Sequence, residues 1–266
     1  MRDILKKSAC LFIAMVLATS VSGCGETKTT DKLEKSGKLV VGTSADYAPY
    51  EYRTMVNGKS TIIGIDISIA EEIAKDLGVR LQIEDMRYDK LLSALNSGSV
   101  DIVIAGMSPG QERKKTADFS KVYYKPQNVV MVRSGDKGII KGVSDLSGKK
   151  IGAQSGTVQE KIAKMQIKDA VLTTSGKISD LVSKLKNKKI DALVVELPVA
   201  RGYTRTNTDL VLSDVTVDEY TEGAAIAVKK NNQDFVNIIN KSLDRLTSEG
   251  DIEKFVQQAN DKNTTK

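Results

Sequence analysis

Residues 91–106 read Leu-Leu-Ser-Ala-Leu-Asn-Ser-Gly-Ser-Val-Asp-Ile-Val-Ile-Ala-Gly, and residues 181–196 read Leu-Val-Ser-Lys-Leu-Lys-Asn-Lys-Lys-Ile-Asp-Ala-Leu-Val-Val-Glu. The two align without a gap. Leu91/Leu181, Ser93/Ser183, Leu95/Leu185 and Asp101/Asp191 are identical, and Val100/Ile190, Val103/Leu193 and Ile104/Val194 are conservative pairs. Each stretch carries apolar residues at helical spacing, then a short continuous apolar run, which reads as a helix feeding a buried strand. Convergent patterning can produce the same likeness, so the pair establishes a shared unit and leaves duplication open. Ligands of open α/β sheets sit outside the carboxyl ends of such strands, here near Gly106 and Glu196.

The same alternation extends outward. Lys38–Gly42 is a strand, Ile69, Ala70, Ile73, Ala74 and Leu77 follow helical spacing up to a capping Gly78, and Arg80–Ile83 is a second strand. Lys150-Ile-Gly152 echoes Val40-Val-Gly42, and the pattern restarts. Strands alternating with helices predict mainly parallel sheets with right-handed crossovers. Two segments, Tyr123–Asn128 before Val129–Val132 and Thr221–Gly223 before Ala224–Val228, stand where the chain would pass between lobes. The last apolar helix, carrying Phe235, Ile238, Ile239, Leu243 and Leu246, would then return to the first lobe. The expected organisation is lobe one from 36–124 plus 224–260, lobe two from 128–220, hinges at 125–127 and 221–223, and a frayed polar tail at 261–266.

The first 23 residues read as an address. Arg2, Lys6 and Lys7 precede an apolar Ser8–Ser20 too short to span a bilayer, and Val21-Ser22-Gly23-Cys24 resembles a bacterial lipobox. This predicts a signal peptide at 1–23, diacylglyceryl attachment at Cys24, and a flexible polar tether over 24–35. Removal of three cations and of Asp3 would take the net charge of +6 down to +4. Lysines and acids are interspersed throughout, without a basic stripe or an RNA or DNA module, so no nucleic-acid partner is expected. The chain has no histidine, which excludes Ser-His-Asp and Cys-His catalysis and most zinc sites. No metal, cofactor or catalytic residue is expected.

Three local patterns suggest a site. Ser108-Pro-Gly-Gln111-Glu-Arg113 has the form of a capping box, with Ser108 as N-cap. Arg113 would fall in the first turn, where the helix dipole disfavours a cation unless an anion binds beside it; a surface pair with Glu112 or Asp118 is the plainer alternative. Thr157-Val-Gln-Glu160 is a second capping-box pattern after a glycine turn, the kind of helix start whose free N–H groups attract anions. Glu196 ends a buried strand and needs a partner.

From about Lys38 to Phe255 the chain resembles the family-3 extracellular solute-binding proteins, the polar amino-acid receptors of ABC importers. The resemblance rests on Gly42-Thr-Ser-Ala-Asp-Tyr47-Ala-Pro-Tyr50-Glu-Tyr52, Gly64-Ile-Asp66-Ile, Asp101–Ser108 running on through Arg113 to Phe119-Ser120, Gly152-Ala-Gln-Ser-Gly-Thr157 and Asp191–Glu196, in order. It implies an α/β, two-lobed, type II periplasmic-binding-protein-like fold whose cleft closes on a polar L-amino acid. It also implies Arg113 and the Thr157 amide on the ligand carboxylate, with Glu196, Ser108 and the Gly106 carbonyl on its ammonium. Tyr47 and Tyr88 would sandwich the side chain, Met107 would wall the pocket and Gln154 would reach the side chain. Ser44 stands where relatives favouring basic ligands often have Asp, with Asp46 and Glu51 nearby as candidate acids; Glu196 stands where many members have Asp. Arginine or another basic amino acid is placed slightly ahead of glutamine. The implied partners are separately encoded permease and ATPase subunits, with a monomer held to the outer face of the cell membrane by its lipid. A lipoprotein adhesin or sensor of the same fold and a cyclohexadienyl-dehydratase-like enzyme are the alternatives.

Overall fold

The computed structural model describes residues 29–217 and 222–262. The signal peptide, Cys24, Thr221 and residues 263–266 lie outside the described residues.

The chain begins with helix α1 (Thr29–Ser36) and strand β1 (Lys38–Thr43). A small antiparallel sheet follows, of β2 (Asp46–Tyr47), β3 (Glu51–Val56) and β4 (Lys59–Ile63), leading into α2 (Ile65–Asp76) and β5 (Arg80–Asp85). Next come α3 (Leu91–Ser97), β6 (Ile102–Val103), the short α4 (Gln111–Lys114) and β7 (Ala117–Tyr124). The second half holds β8 (Asn128–Arg133), β9 (Lys150–Gln154), α5 (Val158–Gln166), β10 (Val171–Ser175), α6 (Ile178–Lys186), β11 (Ala192–Glu196), α7 (Leu197–Thr206) and β12 (Leu210–Leu212). The chain ends with β13 (Ala224–Lys229), α8 (Gln233–Ser248) and α9 (Asp251–Lys262).

Two five-stranded sheets have the same topology. The first runs β5-β1-β6-β13-β7 and the second β10-β9-β11-β8-β12. In each, the first three strands are parallel, the fourth is antiparallel to both neighbours, and the fifth again points with the first three. The reversed strands, β8 and β13, are those that follow a change of sheet, between Tyr124 and Asn128 and between Leu212 and Ala224. Glu196, at the carboxyl end of β11, pairs with Asn128 at the start of β8. Both crossings therefore lie at the sheet edge where the parallel strands end. This is the mixed α/β, two-lobed fold expected from the sequence.

The aligned segments do equivalent jobs. The Asp101 carboxylate accepts the Val40 N–H at 2.8 Å, and the Asp191 carboxylate accepts the Lys150 N–H at 2.9 Å. The backbone returns each bond, Asp101 N to Val40 O at 2.8 Å and Asp191 N to Lys150 O at 2.7 Å. Each Asp thus locks the entry of its third strand to the central strand. Gly42 and Gly152 are equivalent too. A Cβ on Gly42 would stand 3.3 Å from Val100, and one on Gly152 would stand 2.5 Å from Ile190. Close packing of helix-to-strand connections on the central strand excludes a side chain at both places.

Three local expectations are corrected. The tether read over 24–35 is helical from Thr29, because Leu33 is buried and Lys32 bonds Asp101 at 2.6 Å and the Gly98 carbonyl at 3.2 Å. The strand expected over 100–104 pairs only at Ile102–Val103. The sheet β2-β3-β4 was not foreseen; its strands alternate poorly, and only Tyr52 and Glu51 face inward at its base.

The Asp101 side chain is 2% exposed and that of Asp191 is 35% exposed. Removing a buried acceptor costs about 1–3 kcal/mol. Asp101→Ala is expected to lower the urea midpoint by the larger amount and Asp191→Ala by less. Equal shifts would refute this ranking.

Candidate ligand-binding cleft

Tyr47, Tyr88, Gly106, Ser108 and Arg113 from the first lobe and Gln154, Thr157 and Glu196 from the second line one cavity between the sheets, with Ala105, Val158 and Gln159. Every residue assigned to the ligand with precedence in the sequence reading is here except Met107. That residue is 1% exposed and packs with Val40, Tyr88, Leu91 and Val103 in the first lobe's core. It lies between two lining residues in extended chain, where neighbouring side chains point to opposite sides.

Arg113 reaches across the cleft. One guanidinium nitrogen donates to the Ser108 carbonyl at 2.6 Å, the other to the Gly156 carbonyl of the second lobe at 2.5 Å, and the cation lies 5.5 Å from the Tyr88 ring centroid. The expected capping box at Ser108 does not form. Helix α4 starts at Gln111 with Gly110 as N-cap, so Ser108 is two residues too early to cap it. The second capping pattern does form: Thr157 Oγ1 accepts the Glu160 N–H at 3.3 Å, while the Glu160 carboxylate accepts from Gly156 N at 2.7 Å. The Thr157 amide donates to the Gln154 carbonyl at 3.3 Å, a long bond that an anionic ligand can displace.

Glu196 is 2% exposed. Its Oε1 accepts from Gln159 at 3.4 Å, and Oε2 makes no hydrogen bond of good geometry among the described residues, although the Tyr50 hydroxyl lies beside it. Burial pushes its pKa up to about 8, the Asp66 charge adds to this, and Gln159 and Arg113 oppose it. An orphaned carboxyl facing a cavity fits a cationic ligand group. Gln159 is a lining residue that sequence reading missed. It is 4% exposed and also bonds Asn128 at 2.8 Å. Its one signal was position, within the capping motif, one turn from the cleft.

The second-rank acids lie elsewhere. Ser44, Asp46 and Glu51 do not line the cavity. Asp46 accepts the Ser179 N–H at 3.0 Å and hydroxyl at 2.7 Å from the other lobe, and its carbonyl takes the Tyr203 hydroxyl at 2.9 Å. Lys177 stands 3.3 Å from Asp85, 3.5 Å from Ser44 and 3.9 Å from Asp46. With Tyr88 N on Gly176 O at 3.0 Å, these bonds hold the lobes together. Glu51 is fully buried beneath the cleft, against Asp66. Tyr47 and Tyr50 stack at 5.7 Å between this acid pair and the cavity.

Two lobes of matching topology closing on a cavity of opposite charges define a bilobal solute-binding protein. The sequence profile of the bacterial extracellular solute-binding proteins, family 3, matches residues 39–261. The chain belongs to that family. It is 37% identical over 94% of its length to the arginine-binding extracellular protein ArtP of Bacillus subtilis, covering 96% of that protein. It is 32% identical over 96% of its length to a probable histidine-binding protein of Campylobacter jejuni, covering 98% of it. The amino-acid ABC transporter substrate-binding protein AbpA of Streptococcus pneumoniae, solved bound to L-arginine, superposes with a TM-score of 0.85 at 35% identity; the match covers 89% of this chain and all of that one.

Burial raises Glu51, takes Asp66 to about 6 and takes Glu196 to about 8. Raised carboxyl values mean that the folded chain holds protons that the unfolded chain releases. Stability from these groups is therefore complete below about pH 4.5 and is lost as pH rises through the folded values. With no histidine to titrate, the melting temperature of the ligand-free protein is expected to fall between pH 5 and 8; a flat or rising profile would contradict the burial. A ligand ammonium on Glu196 is expected to release close to one proton at pH 7, read as a buffer-dependent calorimetric enthalpy.

Proposed function

We propose that this protein is the substrate-binding component of an amino-acid ABC importer, closing on a polar L-amino acid with a basic side chain favoured over glutamine. The observation that carries the reading is the pairing across one cavity of Arg113 from the first lobe with Glu196 from the second. An Arg fork holds a carboxylate in two bonds, and the orphaned Glu196 oxygen accepts an ammonium. A zwitterion then bridges the lobes, so the ligand binds the closed state better than the open one, which is the requirement for ligand-driven closure. Ser108 and the Gly106 carbonyl complete the ammonium site, the Thr157 amide joins Arg113, and Tyr47, Tyr88 and Gln154 bound the side chain. The relatives' arginine and histidine ligands support the basic preference.

The proposal extends to location and partners. Processing before Cys24 and lipid attachment there would tether a monomer to the outer face of the membrane, within reach of a separately encoded permease and ATPase. The hinges are 125–127 and 221–223, and a Cβ on Gly223 would stand 2.5 Å from Val122, so the second hinge tolerates little beyond glycine.

The test is calorimetry of the form starting at Gly25 against the common L-amino acids. Arg113→Ala and Glu196→Gln are each expected to weaken binding roughly 10- to 100-fold, because a charge-assisted bond contributes about 1.5–3 kcal/mol. Binding that survives both changes would remove the clamp. Prephenate and arogenate are expected to show no turnover, and Cys24→Ala is expected to release the protein from membranes.

A further inference from the structure

Charge around the cleft does not balance without a second cation. The rim is neutral and engaged: Asp85 pairs with Arg53 at 3.0 Å and with Lys177 at 3.3 Å, and Lys177 also faces Asp46, so two acids meet two bases. Inside, the ionisable groups are Arg113, Glu196, Asp66 and Glu51, among the hydroxyls of Tyr47, Tyr50, Tyr88 and Tyr123.

Asp66 and Glu51 are both fully buried and in contact, but their surroundings differ. One Asp66 oxygen accepts the Gly106 N–H at 2.7 Å, and the other accepts the Tyr123 hydroxyl at 2.9 Å. Glu51 finds no donor for either oxygen among the described residues. Two adjacent buried carboxyls do not both ionise. Glu51 therefore keeps a proton and directs it at Asp66, which holds the charge. On the proposed reading, the ligand carboxylate cancels Arg113 and the ligand ammonium cancels Glu196. Asp66 is left over, one peptide unit behind the cavity wall at Gly106.

We infer that Asp66 is a specificity-determining residue that never touches the ligand: its uncompensated buried charge selects an amino acid whose side chain is a cation over a neutral one of the same shape. The inference rests on the amino-acid-binding reading and assigns the basic preference to a group other than Ser44, Asp46 and Glu51. At an effective dielectric near 20, a charge roughly 8 Å away favours a cation by about 10- to 100-fold.

The probe pair is arginine and citrulline, which differ by a guanidinium against a neutral urea. Both present the same ammonium to Glu196, so the ratio of their dissociation constants cancels that group. The wild type is expected to prefer arginine, with a ratio that holds from 0.05 to 0.5 M salt, because a buried charge is weakly screened. Asp66→Asn is expected to lower the ratio about tenfold or more, mainly through arginine. Glu51→Gln supplies an N–H donor in place of the acid proton and is expected to keep the ratio. Tyr123→Phe removes a donor from the anion, so its ratio is expected to fall at pH 6 and recover at pH 8.

A ratio unchanged in Asp66→Asn, a Glu51→Gln loss equal to it, or a wild-type preference abolished by salt would each overturn the inference. Should Asp66→Asn fail to fold, a Tyr123→Phe ratio that matches wild type at both pH values overturns it. A wild type that binds no amino acid defeats the underlying reading; one that binds amino acids without preferring arginine to citrulline defeats this inference alone.

Discussion

A carboxyl group removed from water must find a donor, a counter-ion or a proton, and Glu196 is where this protein meets that demand. It ends a strand buried along its whole length, and its oxygens receive one long bond from Gln159. The group answers by holding a proton until a cation arrives. That single constraint couples the second lobe to whatever enters the cleft. Arg113, extended toward the Gly156 carbonyl, makes the reciprocal demand from the first lobe. An open cleft satisfies neither with the other's ligand, so closure and binding become one event.

The fold supplies the geometry that this event needs. Each lobe repeats the same sheet order with its reversed strand entering from the crossing, so the carboxyl ends of the parallel strands face the cleft. Asp101 and Asp191 pin those strands at their opposite ends by the same pair of bonds. Rigidity is thereby placed within the lobes, and the chain between them is left short: three residues separate β7 from β8. A rigid lobe on a short crossing moves as a body, and Ser179, Tyr203 and Lys177 meet Asp46, Asp85 and Ser44 as a set. Those contacts also explain why the rim acids are poor candidates for a ligand cation, since the second lobe already brings its own.

Much of the site was legible before the fold was known, because the cleft is built from chain segments with local signatures. Gly106, Ser108 and Arg113 follow one strand end, Gln154 and Thr157 follow another, and Glu196 closes a third. What misled was helix phase and depth. Ser108 looked like a cap because Pro109 and Gln111 stand at the right spacing, yet the helix starts at Gln111. Met107 looked like a wall because its neighbours are, yet extended chain turns it into the core. Gln159 left no signature beyond a polar residue on a helix. The docking of α1 could not be read from a polar segment whose one inward residue is Leu33.

Taken alone, the sequence determined the alternation of strand and helix, the two matching units, the absence of histidine chemistry and the placing of opposite charges at strand ends in different units. Those properties are local, set by apolar spacing and by residue type. Only the tertiary structure decided which acids are free. Asp46 is taken by Ser179, distant in the chain. Glu51 and Asp66, fifteen residues apart, meet in the dark beneath Gly106 and divide one charge between them. Ionisation depends on burial and on neighbours brought in from afar, and neither is written at the position of the residue itself.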